Sequence, residues 1–192
     1  MSFKAYDILS SLIPGFLMLL LLLKLGEIPF DKDMVVPYTA IAFLLGNVMN
    51  TLSSWLEDFY FFTWGGKPSL RLLEGEGIWK VRFYHCEKAK ALLLAEARPN
   101  ACHDELFSIA MRYANAQKDP RVEDFNTAYA FARVLLTTVL IGTVVLIGRN
   151  YFDWRYYAIL TPILFIVWLR CKQRNYYYTR EVLNVYLKVK NC

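Results

Sequence analysis

The sequence predicts an all-α integral membrane protein with about four transmembrane helices in two hairpins and a water-facing helical-hairpin insert between the second and third crossings. Three observations predict it. Hydrophobic residues, 56% of the 192, gather in blocks instead of alternating with charges as they do on the amphipathic helices of soluble proteins. Charged residues, 20% of the chain, fill the gaps between those blocks. The basic residues among them are few in one gap and many in the next, the bias that sets membrane orientation.

The first block, Ile8 to Leu23, holds sixteen uncharged residues, near the lower limit of roughly 17 to 25 for a spanning helix. It reaches Leu25 if Lys24 snorkels to the interface. Pro14-Gly15 inside it predicts a kink or a late helix start. The chain start does not read as a cleavable signal: Asp7 precedes the apolar run, only Lys4 flanks it as a base, and no small-x-small site follows. The second block, Met34 to Leu56, runs twenty-three residues without a charge and is the clearest span. The third, Val134 to Gly148, has fifteen residues between Arg133 and Arg149, with apolar character upstream that lets its helix begin near Glu123. The fourth, Tyr156 to Leu169, has fourteen. Trp154, Tyr156 and Tyr157 at one end and Trp168 with Tyr176, Tyr177 and Tyr178 at the other read as interfacial belts. Two buried core helices are the soluble alternative for this last pair, since length alone does not decide.

Between spans two and three, Gly65-Gly66-Lys67-Pro68 breaks the chain. Ile78 to Ala97 then reads as one helix, Arg98-Pro99-Asn100 as a turn, and Ala101 to Gln117 as a second helix with Leu106, Ile109, Ala110 and Tyr113 at helical spacing. Asp119-Pro120 ends it. The expected divisions are 1–58 as N-terminal hairpin, 59–124 as insert, 125–170 as C-terminal hairpin and 171–192 as basic tail.

Charge placement tests the layout independently. The stretch from Ser53 to Asn126 carries ten basic residues and the tail after the fourth block carries six, whereas the two short loops carry two each. Four crossings with both termini inside put the ten and the six on the cytoplasmic side of a cell inner membrane. The net charge of +5 then reflects anionic headgroups more simply than nucleic acid. The four cysteines, Cys86, Cys102, Cys171 and Cys192, form no C-x-x-C pair and fall on that side, so free thiols are expected.

Several residue patterns carry candidate chemistry. Asn47, Asn50, Thr51 and Ser54 fall on one face of span two, at offsets 0, 3, 4 and 7. Polar groups in a membrane pair with other helices or line water. The face therefore reads either as an interhelical hydrogen-bond stripe inside one bundle or as the polar lining of an oligomeric pore. Thr137, Thr138, Thr143 and Thr161 are possible partners. No span carries an acid or base at its centre, which disfavours a proton relay. Arg98 and His103 make an Arg-x4-His pattern of the kind found in HEPN-type ribonucleases, where the pair closes on a scissile phosphate. Pro99 puts Arg98 on a turn, outside the helix carrying His103, and the simpler reading is a solvated arginine and a first-turn histidine. His85-Cys86 and Cys102-His103 are a mirrored pair of metal-ligand types. Adjacent helical residues point about 100° apart, so packing roles are expected and no metal or other cofactor. No phosphate loop, Gly-x-Ser-x-Gly or His-Glu-x-x-His stands in the chain.

The opening Tyr6-Asp7-Ile8-Leu9-Ser10-Ser11-Leu12-Ile13-Pro14-Gly15 resembles the start of small multi-pass bacterial membrane proteins, among them accessory proteins encoded beside type VI-B CRISPR effectors. That resemblance implies a role in phage defence, modulating an RNA-guided nuclease response or permeabilising the membrane. The residues and the resemblance together predict a non-enzymatic membrane effector or accessory protein that forms homo-oligomers. Two other classes stay open: an anchored module recruiting a protein or RNA through the basic insert, and a membrane-bound ribonuclease built on Arg98 and His103.

Overall fold

The computed structural model describes residues 5–99 and 101–190, with side chains from Ser10 onward. Asn100, in the expected interhelical turn, and Cys192 lie outside the described residues. Regular structure among the described residues is helical throughout: α1 Ala5–Leu25, a 3-10 turn Lys32–Met34, α2 Val35–Trp55, α3 Glu57–Thr63, α4 Pro68–Leu73, α5 Cys86–Glu96, α6 His103–Gln117, α7 Pro120–Arg149 and α8 Trp154–Val189. The stretches Lys32–Trp55 and Pro120–Arg149 are long and apolar enough to cross a membrane by length and composition, and Ser10–Leu25 is a shorter apolar stretch. The chain divides into two units. One comprises the chain up to Glu57 with Ala130–Cys171, the other Asp58–Tyr129 with the chain from Lys172 onward.

In the first unit α1 and α2 touch backbone to backbone. A Cβ on Gly15 would stand 1.8 Å from the Ala42 carbonyl oxygen, and one on Gly46 2.0 Å from that of Ser11. Only glycine at both places allows this approach, the small-residue packing used where helices lack a hydrophobic drive to associate. α1 starts at Ala5 and runs through Pro14, so of the kink or late start expected from Pro14-Gly15 the late start does not occur, and Gly15 serves the close approach. Met18, Met49 and Val134 bring α7 against this pair. At the far end Arg149 donates to the Leu25 carbonyl at 3.0 Å and to Glu27 at 2.9 Å.

The second unit has its own core. Leu72 and Leu73 of α4, Leu93 of α5, Leu106 and Ala110 of α6, Val122 of α7 and Tyr176, Leu183 and Tyr186 of α8 are all within it. Residues 171–189, the described helical part of the expected 171–192 tail, are the continuation of α8. Tyr176, Thr179, Val182, Leu183 and Tyr186 recur at three to four residues and are buried, so this stretch is a core helix with its basic residues at the less buried positions. The insert is correspondingly more than a helical hairpin. The expected helix from Ile78 is another departure. Ile78 and Val81 exchange backbone hydrogen bonds at 3.1 and 2.7 Å, Trp79 has φ +40°, and α5 starts only at Cys86. Val81 and Phe83 are buried while Arg82 and Tyr84 are exposed, a two-residue alternation in which extended backbone pins the segment to the core. Gly77 permits the turn, because a Cβ there would lie 2.4 Å from the Val81 carbonyl oxygen.

Helix ends follow local chemistry. Lys118 closes α6 in the left-handed conformation. Pro120 opens α7, and the Asp119 carboxylate accepts from the Arg121 amide at 2.9 Å. Asp119-Pro120 thus ends one helix and begins the next.

Candidate functional site

The polar face of α2 is the candidate site. Five positions of this helix are turned inward: Tyr38, Ala42, Gly46, Met49 and Ser53 are buried, Ala42 and Gly46 against α1. Asn47, Asn50, Thr51 and Ser54 lie roughly 120° around the helix from that packed face, and all four are exposed. The polar stripe is therefore not the seam between α2 and α1. Its side chains meet part of their hydrogen-bonding capacity on their own helix: Asn47 Nδ2 donates to the Phe43 carbonyl at 3.0 Å, Thr51 Oγ1 to that of Asn47 at 3.2 Å and Ser54 Oγ to that of Asn50 at 3.2 Å. An asparagine side chain offers two donors and an acceptor with two lone pairs, so one intrahelical bond leaves Asn47 with capacity for a neighbour.

The end of the stripe at Ser54 is fixed by a pair the sequence did not signal. Arg133 at the start of the apolar part of α7 donates from Nη1 to Glu57 Oε2 at 2.6 Å and from Nη2 to Ser54 Oγ at 3.0 Å. The two side chains keep only 14% and 27% of their exposure, so the pair is shielded enough to hold the junction of α2 and α3 against α7. Seventy-six residues separate its members, and no local pattern announces a contact of that range. Buried Cys171 stands beside it; burial, with Arg133 lowering and Glu57 raising the value, leaves its thiol pushed up to about 12.

The threonines suggested as partners of the stripe differ from one another. Thr137 and Thr138 donate to the carbonyls of Arg133 and Val134 in their own helix, both at 3.0 Å. Thr161 is exposed. Thr143 is 6% exposed and its hydroxyl has no hydrogen-bond partner.

Arg98 and His103 are both exposed. Arg98 lies in the connection after α5, its carbonyl accepting from the Ala101 amide at 3.0 Å, and His103 is the first residue of α6, behind an extended Cys102. His85-Cys86 and Cys102-His103 attach to opposite ends of α4. Cys86 Sγ lies against Gly75, just past α4, while Asp104 beside His103 pairs with Lys67, just before it, at 2.6 Å. Six residues of helix rise roughly 9 Å, so the two pairs do not converge, and among the described residues no three His, Cys, Asp or Glu gather as a metal-ligand group. Cys86, Cys102 and Cys171 are free thiols.

Compared with known family models, curated proteins and solved structures, the chain shows no significant match in any of the three.

Proposed function

We propose that the protein is a multi-pass inner-membrane effector or accessory component that self-associates through the polar face of α2 and carries its second unit on the cytoplasmic side. One observation carries this reading: Asn47, Asn50 and Thr51 are exposed on a helix of membrane-spanning length while a separate face, through Ala42 and Gly46, is taken up by α1. Amides facing lipid are costly. A second copy presenting the same face relieves that cost by reciprocal hydrogen bonds, each worth about 0.6 to 2 kcal/mol, and a closed ring of copies would give a polar lining. The four-crossing layout rests on the apolar blocks and on sixteen basic residues against four in the short loops. The phage-defence setting implied by the resemblance belongs to the same proposal, the role being to permeabilise the membrane or to modulate a nuclease from it.

The oligomeric state of the purified protein in detergent, followed by ion leakage from loaded liposomes, tests it. Asn47→Leu and Asn50→Leu should lower the oligomer fraction or the leakage more than Leu44→Ala, which alters an exposed apolar position of α2. Equal behaviour of all three variants would remove the stripe from the mechanism. The anchored binding module remains the second reading, favoured by the separate core of the second unit and by the ten basic residues of the insert, and copurification of a protein or RNA with the intact chain would promote it.

A further inference from the structure

We propose that the groove between α1, α7 and the first turns of α8 is a binding site for one anionic phospholipid, which lays an acyl chain along the groove with its phosphate at Lys24 and its ester carbonyl at Thr143. This rests on the membrane reading and adds a specific ligand to it.

The groove encloses about 270 Å³. Leu17 and Leu21 of α1, Leu146 of α7 and Leu160 of α8 form its walls, and Lys24 stands at one end. From Leu17 to Lys24 the helix rises roughly 10 Å, the dimension of a chain segment and not of a compact solute. Its origin is Gly142: a Cβ built there would find only Leu21 Cδ2, at 4.0 Å. The missing side chain thus leaves space that no neighbour has filled, whereas well-packed helix interfaces leave few voids. The side is open. Leu17, Leu20 and Ile163 on its margin keep 43%, 40% and 43% of their exposure, so a chain enters laterally from the surrounding lipid.

Two polar groups set the orientation of the occupant. Thr143 lines the groove with a buried hydroxyl that has no partner. Thr137 and Thr138, in the same helix, satisfy theirs by bonding back four residues, the usual solution for threonine in an apolar helix. Thr143 does not, and an unpaired buried hydroxyl costs free energy unless a ligand accepts its proton. Lys24 supplies the charge. Its ammonium lies 5.6 Å from the centre of the Tyr156 ring, and the neighbouring carboxylate, Glu27, is already paired with Arg149. Lys24 and Arg149 against Glu27 leave that end of the groove positive, complementary to a phosphate. Thr143 lies roughly 9 Å inward of Arg149 along α7, on the chain side of the headgroup.

The test is native mass spectrometry of the full-length protein, extracted from washed membranes in detergent and offered dioleoyl phosphatidylglycerol or dioleoyl phosphatidylcholine. The wild type should retain one lipid and prefer the anionic one. Gly142→Leu, which fills the groove, should lose both lipids. Thr143→Val should weaken both alike. Lys24→Gln, at an exposed position, should keep the fold and lose about fivefold of its preference for the anionic lipid. Retention by Gly142→Leu equal to wild type, or an unchanged preference in Lys24→Gln, overturns the proposal. A protein held in the membrane that retains no lipid also overturns it, and leaves the membrane reading standing. Recovery of the wild type in the aqueous wash would instead sink the membrane reading itself.

Discussion

At the scale of single residues, the three described thiols differ in ways that make them internal probes. Cys102 is exposed, Cys86 half-buried and Cys171 fully buried. Reactivity follows the thiolate, and burial holds the Cys171 thiol near 12. A maleimide should therefore label Cys102 first and Cys86 more slowly, and should spare Cys171 up to about pH 9 until the protein is unfolded; early labelling of Cys171 would mean that its surroundings are open. A second residue-scale prediction concerns the cluster at the end of α8. Lys190 pairs with Glu96 and donates to the Tyr113 hydroxyl at 3.0 Å, and the Tyr186 hydroxyl reaches Glu96 at 3.4 Å. Burial pulls the Glu96 carboxyl upward, but Lys190, Tyr113 and Tyr186 outweigh it and hold the value below the usual carboxylate range. The stabilisation is thus present above that range and is lost as pH falls through the lowered value. Lys190 is raised, chiefly by Glu96, so its share persists through neutral pH and fades only above the ordinary lysine range. Hydrogen-exchange protection of α5 and α6 amides in the full chain, taken relative to the intrinsic rate at each pH, should fall on acidification, and Glu96→Gln should lower it at neutral pH and flatten the acid response. None of these partners was legible in the sequence. A residue type and its spacing reveal which helix face it occupies, but a contact across seventy or more positions depends on how whole helices dock.

At the scale of elements, the sequence read well wherever one period dominated. The apolar blocks correspond to helices α1, α2, α7 and α8, and the spacing of Leu106, Ile109 and Ala110 locates α6 within two residues of its observed start. It failed at residues 78–85, where a run with several apolar positions passed for the first turns of a helix. The competing signal was present: Gly75 and Gly77 precede Trp79, and Val81 and Phe83 alternate with Arg82 and Tyr84 as a strand-like segment does. The α1–α2 contact was half legible. Gly15 and Gly46 could be seen, but only the structure shows each pressed on the other helix. Leucine at Gly46 would drive its side chain into the Ser11 carbonyl, and overpacking of this kind costs about 1 to 3 kcal/mol or more. Gly46→Leu should lower the thermal midpoint of the detergent-solubilised protein, or separate the pair outright, while Gly148→Leu, with nothing within 4 Å, should be tolerated. Comparable losses from the two would show that the close approach is not what holds α1 to α2.

At the scale of the whole molecule, two units share one chain because α7 and α8 each run through both. The sequence divided the chain at the ends of its apolar blocks, near residues 124 and 170. The structural division at Tyr129 and Cys171 follows the cores, since α7 and α8 have no chain break where one core gives way to the other. The proposed topology predicts that a cysteine placed at Lys32 is labelled by an impermeant maleimide on intact cells, and that Cys102 is labelled only after the membrane is opened; the reverse order would invert the protein in the bilayer. The central claim, that α2 meets another copy through its polar face, is tested most directly by disulfide cross-linking of single cysteines along α2 in native membranes, in a chain whose own cysteines are replaced by serine or alanine. Cysteine at Asn47, Asn50 or Thr51 should yield covalent dimers on oxidation, and cysteine at Ala42 or Met49, on the buried face, should not. Dimers absent from the polar positions, or formed equally from both faces, would contradict it.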